Sequence, residues 1–299
     1  MQGVETWNSE YGKGLKIKTA HYEILTTLLE PLMLTQVPGF MESAYTGYQS
    51  QVFEEIESSN RMKVYLFKSR EQWEQFTEEW TDEKAVAYKK IKSGAYYHNG
   101  ACVAYNIGRE STFAVLGHEG WHQFNSRFFK YRLPSWLDEG IAMLFERSRY
   151  EKGSFHFEPS RNFNRLGTLK QTINNKNMMS LEKLVSINPG EVMMYGDDDD
   201  VIGFYSQAYA LVRFLREDDY GKRLGRYHQM LTDGLNGNWN LNERNRRIAA
   251  NRNIPRNIIW NRQVGRKLFE TYISPNYEEI EQEYHRFCRK IVYYIRVKK

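Results

Sequence analysis

At 299 residues, 41% of them hydrophobic and 26% charged, the chain is long enough to bury a full core, as one large domain or two intimate lobes, and has the composition of an ordinary soluble globular protein. It contains no run of 18 apolar residues, which excludes a transmembrane helix. The net charge of +5 is too mild to demand a nucleic-acid partner by itself. No signal peptide is read at the start, where Met1-Gln2-Gly3 leads into polar sequence, so the expectation is either a cytoplasmic chain or the mature or trimmed form of an exported one. Cys102 and Cys288 are far apart and read as small buried hydrophobes rather than a disulfide or metal pair.

In chain order, residues 15–26 suggest a strand through Ile17, Ile24 and Leu25. Residues 36–57 read as a long amphipathic helix, with Phe40, Ala44, Tyr48, Val52 and Ile56 about four apart. Residues 62–67 alternate as a strand, and Glu71 to Trp80 follow as a helix. Residues 94–107 hold two short strands around the turn-like step His98-Asn99-Gly100, which places His98 at the surface rather than in a ligand set.

The segment His118-Glu119-Gly120-Trp121-His122 then carries the chemistry. Residues four apart share a helix face, so His118 and His122 can grip one metal ion, with Glu119 beside them to act on water. Ser111 is a plausible N-cap for this helix, and Phe113, Leu116, Gly117 and Phe124 suit a buried face. Leu133 to Glu146 read as a second helix, entered through Pro134 and Ser135, with Trp136, Leu137, Ile141, Leu144 and Phe145 at helical spacing. Glu139 lies within that apolar stripe, where a carboxylate is costly unless paired or bound to metal. It is the expected third ligand, and three protein ligands with an open position are the layout of catalytic zinc. Gly140 would let two helices approach closely. Glu146 and Asp138 are candidates to brace the histidines.

Residues 150–178 are polar and Asn-rich and read as a long irregular excursion; Ser180 to Val185 form a short helix. The acidic run Asp197-Asp198-Asp199-Asp200 reads as a solvated loop, since its spacing is not that of a calcium loop. A helix around Phe204 to Leu215 follows. Arg244, Arg246, Arg247, Arg252, Arg256, Arg262, Arg266 and Lys267 concentrate in one stretch, but no nucleic-acid motif accompanies them, so a solvated helical surface is the preferred reading. Ser274-Pro275 would start a last helix, along which Tyr277, Ile280, Tyr284, Phe287, Cys288 and Ile291 trace one apolar face.

His118-Glu119-x-x-His122, followed after an interval by Trp136-Leu137-Asp138-Glu139-Gly140, resembles the gluzincin metallopeptidases, and within them the peptidase MA-like family. The W-L-x-E-G segment is similar to that around the third ligand of aminopeptidase N-type enzymes. The resemblance implies His118, His122 and Glu139 as zinc ligands and Glu119 as general base. Phe204 to Leu215 resembles the helix that carries the transition-state tyrosine of these enzymes, which implies Tyr205 as oxyanion donor, with Tyr209 one turn on as the substitute. One departure stands out: aminopeptidases of this clan bind the substrate's free amine through the Glu of a G-x-M-E-N strand, whereas Gly100 to Asn106 contain no acid. If this strand binds peptide, it does so by main-chain pairing at a sheet edge.

The expectation is therefore an α+β protein with a zincin-like metallopeptidase fold: a single catalytic unit over 1–299, with an α/β lobe at 1–130 carrying the metal helix and a mainly helical lobe at 131–299. One Zn2+ per chain, a peptide or protein substrate, and endopeptidase rather than aminopeptidase action complete the reading. The alternative is a zinc-containing binding or scaffold protein with little or no catalysis. The resemblance leans toward an exported, periplasmic location over a cytoplasmic one.

Overall fold

The first 105 positions supply one six-stranded mixed sheet, with strands β1 (Gly3–Ser9), β2 (Gly12–Lys18), β3 (Tyr22–Thr26), β4 (Met62–Phe67), β5 (Ala95–His98) and β6 (Ala101–Tyr105) in the order β1-β2-β3-β4-β6-β5, and the nearly continuous apolar runs of β4 and β6 are buried at its centre. The structure is a computed structural model and describes residues 2–58, 60–91, 94–196, 198–252 and 260–296. The chain is mixed α+β and divides into two units: Met1–Ser50, Glu55–Arg127 and Phe145–Pro159 form the first, and Gln51–Glu54, Phe128–Leu144 and Ser160–Lys299 the second. No helix among the described residues is long and apolar enough to cross a membrane.

In the first unit β3, β4 and β6 run parallel, while β1 and β2 and, at the far side, β5 are antiparallel to their neighbours. Parallel neighbours need crossovers. Helix α1 (Pro31–Gln49) links β3 to β4, and α2 (Arg70–Thr81) with the short α3 (Ala85–Tyr88) leads toward β5 and β6. Strand alternation sends Tyr65, Phe67, Val103 and Tyr105 to one face, where Trp73 and Phe76 of α2 join them in a core cluster. Tyr45 and Tyr48 of α1 meet Phe124 and Trp121 of α4 (Arg109–Phe128) at ring-centroid distances of 5.5–5.9 Å. Gln123 fastens α4 to the sheet: its Nε2 donates to the carbonyls of Lys63 and Gly100 at 2.8 and 2.7 Å. A hairpin of β7 (Ser148–Glu151) and β8 (Ser154–Phe157) packs Phe155 on Phe40 and Phe113.

The second unit is built from helices around α9 (Asp198–Glu217), which packs on α5 (Ser135–Ala142), α6 (Phe163–Asn174), α8 (Pro189–Tyr195), α10 (Leu224–Asn236) and the last helix, Tyr277–Ile291. The short α7 (Leu181–Ser186), capped by Ser180, adds to the same core, and α11 (Glu243–Ala250) and α12 (Arg266–Tyr272) precede the last helix, α13. The expected inner face of α13 is buried at Ile280, Tyr284, Phe287 and Cys288. Cys102 and Cys288 are both free and buried.

Several boundaries differ from the sequence reading. Residues 15–26 are two strands, because Thr19 turns the chain, its hydroxyl accepting from the Tyr22 N–H at 3.0 Å while its own N–H donates to the Tyr22 carbonyl. The helix expected over 36–57 is α1, Pro31–Gln49. Pro31 suits its first turn, and Gln51 beyond it has its side chain taken by Tyr227 (2.9 Å) and its carbonyl by His228 (2.7 Å). Ser111 does not cap α4; the helix starts at Arg109, where the Thr112 N–H reaches the Gly108 carbonyl at 2.8 Å. The second helix stops at Ala142 and tightens into a 3-10 turn, Met143–Phe145. The stretch 150–178 is not irregular but holds most of the β7–β8 hairpin and all of α6, whose cap Asn162 accepts from Arg165. Asn276, not Ser274, caps α13. Strand β6 lies between β4 and β5, so its main chain is paired on both sides; the sheet edge belongs to β5.

Gly120 gives Tyr48 room to donate its hydroxyl to the Gly117 carbonyl at 2.7 Å, for a Cβ at position 120 would overlap that oxygen. Gly120→Ala is expected to cost about 1–3 kcal/mol of stability in urea unfolding. The penalty should shrink when Tyr48→Phe removes the oxygen, a coupling that a double-mutant cycle measures directly.

Candidate metal centre

Helix α4 presents its histidines through ordinary helical geometry. His118 and His122 stand one turn apart, with ring centroids 5.0 Å apart. Nδ1 of His118 lies 3.0 Å from Oε1 of Glu146, and both side chains are largely buried. A carboxylate in that position accepts a hydrogen bond from the Nδ1–H and orients the ring, as carboxylates do behind metal-ligating histidines. Of the two acids singled out to brace the histidines, Glu146 stands against a ring nitrogen of His118, and Asp138 is buried on α5.

Why Glu146 reaches His118 is a matter of backbone clearance. The carbonyl of Phe145 presses on Gly117 so closely that a Cβ there would overlap it. The residue after Phe145 is thereby delivered to the residue after Gly117. The sequence contains Gly117 but no signal of what it accommodates.

Glu119 is half-buried on the same helix. Burial first, and also the charge of Glu119, push the phenols of Tyr48 and Tyr88 and the thiol of Cys102 up. All three groups therefore keep their protons at neutral pH.

In the second unit, Glu139 is half-buried on α5, next to Gly140. Gly140 does permit a close approach, and the partner is α9: a Cβ at 140 would come within 2.6 Å of the Ala208 carbonyl and 2.5 Å of Val212 Cγ2. Helix α9 also carries both tyrosines. Tyr209 is fully buried and accepts a hydrogen bond from Nη1 of Arg213 at 3.0 Å, whereas Tyr205 is half-buried with the Arg165 guanidinium 5.7 Å from its ring centroid. Among the described residues, His118, His122 and Glu139 each offer one ligand atom, all within 4.8 Å of one another, and this group could hold a metal ion.

The other singled-out residues lie elsewhere. His98 sits at the end of β5, half-buried, with Nδ1 3.2 Å from the Tyr88 hydroxyl, and burial holds its pKa below the usual value. Asp199 and Asp200 form the first turn of α9; Asp197 lies outside the described residues. In the basic stretch, Arg247 pairs with Glu243, Arg262 with Glu191 and Arg266 with Glu182 and Glu270, while Arg256 lies outside the described residues.

The Glu146 contact has a measurable consequence. Glu146→Ala should lower divalent-metal affinity by about 10–100-fold in a chelator-competition titration, with the far-UV circular dichroism unchanged. Compared with family models, with curated proteins and with solved structures, the chain matches none.

Proposed function

We propose that the chain is a zinc-dependent peptidase of the gluzincin type with a zincin-like fold, an endopeptidase rather than an aminopeptidase. The observation that carries this reading is the histidine pair one turn apart on α4, with Nδ1 of His118 held by Glu146 and Glu139 offering a third ligand atom. Under it, His118, His122 and Glu139 hold one zinc ion per chain; two imidazoles and a carboxylate suit that ion. Zinc bound there supplies Lewis acidity to water and to a peptide carbonyl.

The chain's own side chains do the rest. Glu119, beside the first histidine, takes a proton from the attacking water and passes it to the departing amine. Tyr205 donates its phenol hydrogen to the carbonyl oxygen as negative charge develops there. Tyr209 suits that role less well, being fully buried with its oxygen engaged by Arg213. Neither β6, Ala101–Tyr105, which is paired on both sides, nor the edge strand β5, Ala95–His98, has an acid to meet a free amino terminus, which favours cleavage within chains.

The test is zinc content measured together with cleavage of a broad peptide library, for the wild type and Glu119→Gln. One zinc in each, with turnover lost by about 10²–10⁴-fold only in the variant, is the expected result. Zinc without cleavage by the wild type would transfer the site to a binding or scaffold protein. A chain that takes up no zinc when supplied with it, or a Glu119→Gln variant that still turns over, would sink the proposal. Once a substrate is found, Tyr205→Phe should lower kcat by about 10²–10³-fold with little change in KM. Tyr209→Phe should instead lower stability, by about 1–3 kcal/mol in denaturant unfolding.

A further inference from the structure

Resting on the zinc-site reading, we propose that Asn261 is a positioning residue: it fixes the start of α5 and thereby the direction of the Glu139 carboxylate, one turn further on. The first N–H groups of a helix need partners from outside it. Pro134, which precedes α5, supplies none from its side chain. The N–H of Ser135 instead donates to Oδ1 of Asn261 at 2.9 Å, across 126 residues of sequence. Asn261 opens a π-helical turn, Asn261–Gly265, and is fully buried. The other end of that turn is docked as closely: a Cβ on Gly265 would come within 2.2 Å of the Val185 carbonyl and 3.3 Å of Pro134 Cβ. The turn therefore meets the beginning of α5 at two points, one polar and one steric.

Ser135 and Glu139 are four residues apart, so they share a helix face, about 6 Å apart along the axis. Gly140, on the far side of Glu139, rests on the backbone of α9, where a Cβ would come within 2.6 Å of the Ala208 carbonyl. Apolar packing is non-directional and tolerates a small rotation of a short helix. A hydrogen bond at the first turn does not, because it weakens steeply as its angle opens. Stability alone is a poor explanation for Asn261. Its Nδ2 donates to nothing among the described residues, and a buried amide that makes so few of its hydrogen bonds returns little net stability. What the bond to Ser135 supplies is placement, at the residue one turn before the third metal ligand.

The rival role is purely structural, with Asn261 mattering only to the fold. The deciding experiment measures three things: zinc affinity by chelator competition, the visible spectrum of the Co2+-loaded chain, and the urea midpoint of the metal-free chain. It compares the wild type with Glu139→Ala, Asn261→Asp and a double variant, Asn261→Leu with Ser135→Pro. The double variant removes donor and acceptor together, so neither is left stranded. Proline suits the first helical position, and Pro134, at φ −62° and ψ 151°, already has the extended backbone that a following proline requires. The double variant should keep the urea midpoint of the wild type, bind zinc about tenfold more weakly and shift its Co2+ spectrum toward that of Glu139→Ala. Asn261→Asp, which keeps the acceptor, should bind zinc as the wild type does. Wild-type affinity in the double variant, a loss of affinity that comes only with loss of the fold, or a folded Asn261→Asp chain as weak as the double variant would overturn the role of Asn261 and leave the zinc site standing. A wild type that takes up no zinc, or a Glu139→Ala variant that binds it as tightly as the wild type, would remove the zinc reading and this inference with it.

Discussion

The carbonyl of Phe145 rests against Gly117 with no space for a side chain between them, and much of the first unit is arranged around that contact. Glu146 follows Phe145 and so arrives beside His118, where it orients the ring. One turn along α4, the Tyr48 hydroxyl occupies the room left by Gly120 and binds the Gly117 carbonyl. Aromatic rings then close over the same stretch: Tyr48 stands edge-on to Phe145 at 4.6 Å, and Trp121 and Phe124 extend the contact toward the sheet side. A largely buried carboxylate is expensive, and its hydrogen bond to an imidazole offsets that cost only while the turn at Phe145 holds its place.

A second close approach organises the helical unit. Gly140 lets α5 settle on the backbone of α9 at Ala208. Glu139, next to that glycine, and Tyr205, one turn before Ala208, therefore belong to a single tightly packed helix pair. Neither can be displaced along its helix axis without disturbing the other. Arg213 adds rigidity lower on α9, with two hydrogen bonds to the Glu217 carboxylate and one to Tyr209.

What could be read from the sequence follows the range of the forces involved. The histidine spacing on α4 and the helix at Glu71 to Trp80 are local features, visible within a single helix. The Asn99-Gly100 turn was legible because both residues need positive φ, and they have it, at 45° and 81°. The equivalent Lys152-Gly153 turn, also at positive φ, passed unnoticed because its strands are only four residues long and largely exposed. Helix α6 was hidden for a similar reason: it buries only Leu166, Leu169 and Thr172 in a polar, Asn-rich stretch. Glu146 was identified only as one of two candidates, since its contact spans 28 residues and depends on backbone clearance at Gly117 that no periodicity reports.

The division of the chain also bears on how the protein is made. Six alternating segments carry it back and forth between the two units, and the first unit's last segment, Phe145–Pro159, is preceded by seventeen residues of the second, Phe128–Leu144. A ribosome adding about 5–20 residues per second needs roughly 2–6 s to advance from Arg127 to Pro159. Throughout that interval α4 has been synthesised, but neither the hairpin strand that packs Phe155 on Phe40 nor the carboxylate destined for His118 has fully followed. The nascent first unit thus carries uncovered aromatic rings, and it becomes capable of shaping His118 only once about half of the chain exists.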